Sequence, residues 1–290
     1  MSETESFCRV DCKDFDDFVE KCKELLKEKG EKRSLVFRGQ KRAASNEVGK
    51  WKWLLCTSFE RACERFGVNS EKRVELERNM IREFQRRLHL YMTHIPDEIL
   101  TDEWLSLMQH YGAPTRLLDF TYSPYVAAYF AFECAKPNSN VAVWAIDATW
   151  CKEQLEASNK CLAEHYSSYG KRREGKEFDV IFRAHQPQKL VLAVNPFRRN
   201  ERLAYQKGVF LCPGDVTVGF MENLSSFGNP DGQVTQYSIP TGENGNFRNN
   251  ALKELERMNI NRTTLFPGLD GFAQSFSVRI ITDESIIPTG

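Results

Sequence analysis

The stretch LMQHYGAPTRLLDFTYSPYVAAYFAFE, residues 107–133, decides how this chain is built. It begins with helical spacing and turns through Gly-Ala-Pro at residues 112–114. Ser123 and Pro124 then open a second apolar run, and a serine followed by a proline is typical of the beginning of a helix. The stretch therefore predicts two helices joined by a turn and a short apolar segment.

Two charged residues, Arg116 and Asp119, stand among the leucines and aromatics of this segment. A charge inside apolar sequence must be paired, because an unpaired buried charge costs several kcal/mol. We expect Arg116 and Asp119 to act mainly as scaffold. Asp119 is the predicted partner of either Arg38 or Arg116.

The composition is that of an ordinary globular protein, with 41% hydrophobic and 28% charged residues in a chain of 290. Forty basic and forty acidic residues cancel, which disfavours a general nucleic-acid-binding protein but leaves a local basic site open. The sequence contains no apolar run of the roughly 18 residues that a membrane span needs. The polar, acidic N-terminus is not a secretory signal. We therefore expect a cytoplasmic protein without a membrane partner.

The nine cysteines form no C-x-x-C pair, and the one cluster among them, Cys8 and Cys12 with Cys22 beyond, has no histidine near it. Structural zinc sites generally combine cysteines or histidines at close spacing. The sequence therefore predicts reduced thiols and no metal site.

Helical and strand patterns alternate irregularly along the chain. Helices are predicted at residues 13–29, from Thr57 onward, at about 70–91, at 102–111 and at 247–258, and strands in SLVFRGQ (34–40), VAVWAID (141–147), KLVLAVN (189–195), GVFLCPG (208–214) and QYSIP (236–240). The polar residues 165–178 are predicted to form a mobile loop. Without strict βαβ alternation, the pattern favours an α+β fold over a doubly wound sheet.

Arg38 ends a predicted strand and is followed by Gly39. The planar guanidinium can grip a phosphate or carboxylate with paired hydrogen bonds. A glycine at this place allows close approach of a ligand or of another backbone. The alternative for Arg38 is an ion pair with a carboxylate of the protein, such as Asp119.

Thr121 and Ser123 lie at the beginning of the second helix. The first turn of a helix leaves N–H groups unpaired and carries partial positive charge, so it attracts anions. The two hydroxyls would add donors beside it. The alternative is a helix start that is simply well capped.

His110 and Gln206 are the remaining candidates. His110 ends a predicted helix, where it can act as a general base or only offset the helix dipole. Gln206 precedes Gly208 and a strand, and its amide can bind a ribose or satisfy a buried backbone group. The chain has no P-loop, no G-x-G-x-x-G, no H-E-x-x-H and no G-x-S-x-G motif.

Taken together, several segments resemble the FRG domain, a family named for its first tripeptide. They are FRGQ (37–40), WKWLLCTSFER (51–61), residues 104–133, VAVWAID (141–147), NERLAYQKGVF (200–210) and TLFPGLDGF (264–272). The resemblance implies an FRG domain at residues 33–276, preceded by a helical segment at 1–32 and followed by a tail at 277–290. Members are mainly bacterial and phage-associated, which implies a role in phage defence.

The order of motifs also resembles that of ADP-ribosyltransferases of the Arg-Ser-Glu type. This resemblance implies a split antiparallel or mixed sheet flanked by helices, with NAD as cofactor. Arg38 and Gly39 would hold the diphosphate, and Thr121 and Ser123 would support the ribose. Where that family has a catalytic glutamate, this chain has Gln206, which keeps a hydrogen bond but loses the charge that offsets an oxocarbenium-like transition state.

The leading hypothesis is therefore a nucleotide-binding FRG-domain protein with ADP-ribosyltransferase or NAD glycohydrolase activity, in which His110 and Gln206 orient the reacting end. A protein or nucleic acid would accept the transferred group. The first alternative is a non-catalytic sensor module that binds a ligand or partner. The second is nucleic-acid binding through the basic helix at 71–92.

Overall fold

The computed structural model describes residues 7–47, 50–93, 95–98, 100–158, 182, 187–196, 201–226, 230–283 and 286. The loop predicted at 165–178 lies outside these residues, as do parts of the predicted N-terminal segment and C-terminal tail. The domain boundaries drawn from the resemblance stay a prediction.

A mixed β-sheet forms the centre of the fold. Its strands, with a separate two-stranded hairpin of β3 and β4, are β1 Cys8–Asp11, β2 Leu35–Gln40, β3 Ser45–Glu47, β4 Lys50–Lys52, β5 Leu118–Thr121, β6 Asn140–Asp147, β7 Val191–Val194, β8 Gly208–Pro213 and β9 Val234–Pro240. The order of the seven-stranded sheet is β1-β9-β6-β2-β5-β8-β7. β1 runs parallel to β9, and the other neighbours are antiparallel.

Helices cover both faces of this sheet. They are α1 Phe15–Lys29, α2 Ser58–Arg65, α3 Arg73–Leu88, α4 Thr101–His110, α5 Pro124–Phe132, α6 Ala148–Ser158, α7 Glu201–Tyr205, α8 Phe220–Ser225, α9 Asn246–Arg257, α10 Arg262–Leu265 and α11 Leu269–Thr282. The predicted mixed sheet flanked by helices is confirmed. Among the described residues, none of these helices combines the length and the apolar character that crossing a membrane would require.

Two apolar cores lie on opposite faces of the sheet, and the central strand β2 contributes to both. Val36 packs into the first core, with side chains of α4, α6 and α8. Leu35 and Phe37 pack into the second core, with side chains of α1, α5 and α9. Because side chains alternate along a strand, Arg38 lies on the same face as Val36, and Gly39 lies on the face covered by α5.

The helix beginnings follow the sequence signals closely. Thr57 caps α2 and exchanges hydrogen bonds with Glu60 in a capping box. The Ser123 hydroxyl accepts a hydrogen bond from the backbone N–H of Val126, and Pro124 occupies the first position of α5. Each of these caps satisfies backbone groups that the first helical turn leaves unpaired. Both predictions are confirmed.

Candidate functional site

Arg38 carries a guanidinium that the protein does not saturate. Its Nη1 donates a hydrogen bond to the backbone carbonyl of Asp119 at 2.6 Å. The Asp119 carboxylate lies 4.0 Å from Nη1, and 20% of the Arg38 side chain is exposed. Burial lowers the pKa of Arg38, and Asp119 opposes that shift. Of the two partners predicted for Asp119, the structure shows Arg38, at a distance typical of a weak ion pair.

A cavity of about 820 Å³ opens beside this guanidinium. We call it the Arg38 cleft; it is lined by Arg38, Gly39, Gln40, Lys41, Arg42, Trp51, Trp53, Leu54, Leu55, Cys56, Glu60, Arg61, Glu64, Arg73, Thr217, Val218, Gly219, Met221 and Glu222. Its volume lies in the range of roughly 300–1,000 Å³ that small-molecule sites occupy. The lining includes five cations and three carboxylates. A net positive cleft of this size favours an anionic ligand.

The wall formed by α2 is held rigidly. Glu60 accepts hydrogen bonds from the backbone N–H of Thr57 at 3.3 Å and of Phe220 at 3.1 Å. Burial raises the pKa of Glu60, although these N–H groups counteract the shift. Arg61, next to Glu60 on the same helix, donates from Nη1 to the carbonyl of Cys56. The helix thus presents a carboxylate and a guanidinium in defined positions at the cleft.

Two further features distinguish the cleft chemically. The Nε of Arg73, at the start of α3, is buried and has no hydrogen-bond partner among the described residues, and the same holds for the Nε of Arg38. Burial strongly raises the pKa of the Cys56 thiol, and Glu60 and Glu64 add to that shift. Cys56 is therefore a neutral thiol near pH 7 and a poor nucleophile.

Asp119 connects the site to α4 through Gln109. The Gln109 amide donates to the Asp119 carboxylate at 2.9 Å and to the carbonyl of Leu117 at 3.3 Å. The hydroxyl of Thr115 in turn donates to the amide oxygen of Gln109. This chain of hydrogen bonds orients Asp119 next to Arg38, which supports a positioning role for the carboxylate.

Thr121, Ser123 and Gln206 come together, but their polar atoms are engaged by the protein. The Thr121 hydroxyl donates to the carbonyl of Gln206 at 2.7 Å and accepts from the backbone N–H of Ser123 at 3.1 Å. The Gln206 amide donates to the carbonyl of Leu265 at 3.0 Å. Of the two alternatives for Gln206, the geometry shows an amide that satisfies a buried backbone group. Its catalytic role stays a prediction.

Replacing Gln206 by glutamate is expected to destabilise the protein by about 1–3 kcal/mol. The Gln206 side chain is buried, and a carboxylate there has no N–H to donate to Leu265 and faces a carbonyl oxygen instead. Urea unfolding measures the change. Glu201→Gln, on the exposed start of α7, is the matched control and should change stability by less than about 0.5 kcal/mol. An equally stable Gln206→Glu protein would contradict this account.

His110 ends α4 as predicted, and its environment is basic. Burial of the ring and the nearby guanidinium of Arg202 both lower its pKa. Arg202 stacks on the ring of Phe266, with 4.6 Å between the guanidinium carbon and the ring centroid. A neutral imidazole near pH 7 is suited to accept a proton. The role of His110 stays a prediction.

Arg116 is a scaffold residue. Its Nε donates to Glu77 at 2.7 Å and its Nη2 donates to the second carboxylate oxygen. Its Nη1 donates to the carbonyls of Pro213 at 3.3 Å and Gly214 at 3.1 Å. Every arm of this guanidinium is bound by protein, in contrast to Arg38. The scaffold interpretation of Arg116 agrees with these contacts.

Of the predicted site residues, Arg38 and Gly39 line the Arg38 cleft, whereas Thr121, Ser123, His110 and Gln206 are not among its lining residues. The sequence analysis did not identify Arg61 and Arg73 as site residues. The tryptophans of WKWLL entered only through the family resemblance. Trp51 and Trp53, two residues apart, are the local signal from which these aromatic lining residues could have been found.

The family model of the FRG domain matches residues 33–140, which include Arg38, α2, the Asp119 strand and α5. This match covers the first part of the range that the resemblance predicted. No curated protein matches the chain. No solved structure matches it either. Residues 33–140 of this chain are therefore an FRG domain.

Proposed function

We propose that this protein binds an anionic nucleotide, NAD or a similar one, in the Arg38 cleft. The observation that carries the proposal is a guanidinium with a single hydrogen bond to the described residues, at the wall of an 820 Å³ cleft. No carboxylate of the protein forms a hydrogen bond with Arg38 among the described residues. In this proposal the phosphate oxygens of the ligand accept hydrogen bonds from its guanidinium instead.

The charges of the cleft support a phosphate as the bound group. Glu222 is paired with Lys189 at 2.7 Å, so its charge is largely offset. Glu60 has a raised pKa and is tied to two backbone N–H groups. Glu64 is exposed and remains as the repelling carboxylate of the lining. Arg38 and Arg61 then supply positive charge for the phosphate. Trp51 and Trp53 supply apolar surface against which a base can pack.

Binding by calorimetry is the direct test, with NAD, ADP-ribose, ATP and AMP as ligands and adenosine as the phosphate-free comparison. Arg38→Ala should weaken the tightest nucleotide about tenfold to a hundredfold, because one charge-assisted hydrogen bond is lost. Glu64→Gln should strengthen it several-fold, because a repelling charge disappears.

The matched control is Arg86→Ala, since Arg86 is an exposed arginine on α3 that does not line the cleft. This variant should bind as the wild type does. Circular dichroism and thermal unfolding verify that each variant is folded. The proposal fails if no nucleotide binds at millimolar concentration, or if folded Arg38→Ala binds with unchanged affinity.

A second candidate function is cleavage of NAD. The order of the motifs favours it, because that order resembles the one in ADP-ribosyltransferases. In this candidate Thr121 and Ser123 support the ribose side, and His110 and Gln206 orient the reacting end. Release of nicotinamide from NAD, or transfer of ADP-ribose to an added protein or oligonucleotide, would establish it. Binding without release would leave the sensor module as the function.

A further inference from the structure

A second pocket, about 580 Å³ in volume, lies next to the Arg38 cleft. We call it the annex pocket; its lining residues are Arg9, Lys41, Arg42, Ala43, Ala44, Ser45, Trp53, Cys134, Lys136, Pro137, Asn138, Ser139 and Asn140. Lys41, Arg42 and Trp53 line both pockets. The two cavities are therefore neighbours that share one wall.

The shared wall consists mainly of Arg42 stacked on Trp53. The guanidinium carbon of Arg42 lies 4.5 Å from the centroid of the Trp53 ring. Trp53 is 46% exposed. Its backbone has φ of 63°, a left-handed conformation that is uncommon for a residue with a side chain. Such conformations persist only where the surrounding structure holds them, and they are frequent at ligand sites.

The annex pocket is more strongly basic than the cleft. Its lining includes four cations and no carboxylate. Arg9 is paired with Asp11 at 3.0 Å. Lys41, Arg42 and Lys136 have no ion pair within the described part of the chain. Because the whole chain carries no net charge, this excess of positive charge is a local feature of the pocket.

The Arg42–Trp53 pair suits a ligand that crosses from one pocket to the other. A guanidinium stacked on an indole keeps its N–H groups in the plane, where they can donate to a phosphate. The exposed indole offers a face on which a nucleic-acid base can stack. A phosphate at Arg42 would then have one nucleoside on each side.

We propose that the Arg38 cleft and the annex pocket form one bipartite site for a ligand made of two nucleoside units joined through phosphate. One unit occupies each pocket, the linking phosphate or diphosphate lies between Arg38 and Arg42, and a base stacks on Trp53. This inference rests on the proposed nucleotide binding and names its ligand class. The shared chemistry fits a free dinucleotide joined by a diphosphate or a dinucleotide step joined by a phosphodiester.

The test compares AMP with two two-unit ligands, NAD and the dinucleotide pApA, by calorimetry on the full chain. At least one two-unit ligand should bind about tenfold or more tightly than AMP, because its second unit is held at high effective concentration. NAD as the tighter ligand identifies a free dinucleotide, and pApA identifies a strand.

Lys136→Glu is the diagnostic variant, since Lys136 lines the annex pocket alone. It should weaken binding of the tighter two-unit ligand about tenfold, which removes most of the gain in affinity over AMP. The affinity for AMP itself should stay unchanged. Lys253→Glu, an exposed lysine of α9 in neither pocket, is the control and should change nothing.

Two results would overturn the bipartite site: AMP binding as tightly as both two-unit ligands, or Lys136→Glu leaving their advantage intact. Either result, with AMP still bound in a manner that depends on Arg38, refutes this inference and leaves the proposed function standing. If neither AMP nor a two-unit ligand binds, the proposed function fails, and the bipartite site fails with it.

Discussion

Replacing Glu77 by glutamine is expected to lower the free energy of unfolding by about 3–5 kcal/mol. Glu77 and Arg116 are each only 5% exposed at the side chain, and they form a paired, bidentate contact. Glutamine has nearly the same shape, so the change removes the charge and leaves little cavity. It leaves the buried guanidinium of Arg116 without its hydrogen-bonded counter-charge, and that missing partner is the source of the loss.

Urea unfolding followed by circular dichroism measures this effect. Glu83→Gln on the same helix is the matched control, because Glu83 pairs with Arg87 at 2.6 Å but both side chains are about half exposed or more. An exposed pair of this kind contributes about 0–1 kcal/mol. The double replacement Glu77→Leu with Arg116→Met should recover much of the stability, since it removes both charges together.

A loss below about 1 kcal/mol for Glu77→Gln would contradict the buried pair. The pair of Glu77 and Arg116 also connects parts of the fold. Arg116 joins α3, through Glu77, to the carbonyls at the end of β8. Because α3 begins at Arg73, which lines the Arg38 cleft, the same pair holds one wall of the cleft in place.

Replacing Gly39 by alanine is expected to destabilise the protein by about 3 kcal/mol or more. A Cβ at this position would lie 1.9 Å from the carbonyl oxygen of Ala127 and 2.6 Å from the backbone nitrogen of Ala131. Both atoms belong to the backbone of α5, so no side-chain rotation can relieve the contact. The helix would have to move away from the central strand β2 and open the second core.

Thermal and urea unfolding test this prediction against Gly67→Ala. Gly67 has φ of 63°, and a Cβ added there would meet open space, so that change introduces backbone strain without a clash. Its expected effect is about 1–2 kcal/mol. Adding Ala127→Gly should not rescue Gly39→Ala, because the obstructing atom is a carbonyl oxygen rather than a methyl group.

The outcome distinguishes two reasons for a glycine after Arg38. The sequence left open whether this glycine admits a ligand or another backbone. The structure shows a backbone, that of α5, at contact distance. A Gly39→Ala protein of wild-type stability that has lost only nucleotide binding would instead show that the ligand requires the glycine.

Several features of this protein follow from short stretches of sequence. The starts of α2 and α5 were predictable from Thr57 with Glu60 and from Ser123 with Pro124, because a cap depends on residues within one helical turn. The strand that carries Arg38 was predictable from a run of apolar residues ending in glycine. The FRG domain was identifiable because its motifs are contiguous strings of residues.

The partners of the charged residues were decided by the tertiary structure. Arg116 binds Glu77, which lies 39 residues earlier, and the sequence offered only Asp119 as a candidate carboxylate in its neighbourhood. Arg38 donates to the backbone carbonyl of Asp119, which every residue possesses and which no sequence pattern marks. The cleft likewise gathers Arg38, Arg61 and Arg73 from a strand and two helices.

The sequence predicts some of these features and not others because the interactions behind them act over different distances along the chain. Capping, helical periodicity and strand alternation depend on hydrogen bonds and side-chain contacts within a few residues, so the amino-acid sequence determined them by itself. Whether Arg38 is saturated or left open to a ligand depends on how β2 lies against β5, whose backbone and Asp119 carboxylate face the guanidinium. Only the folded chain brings those elements together.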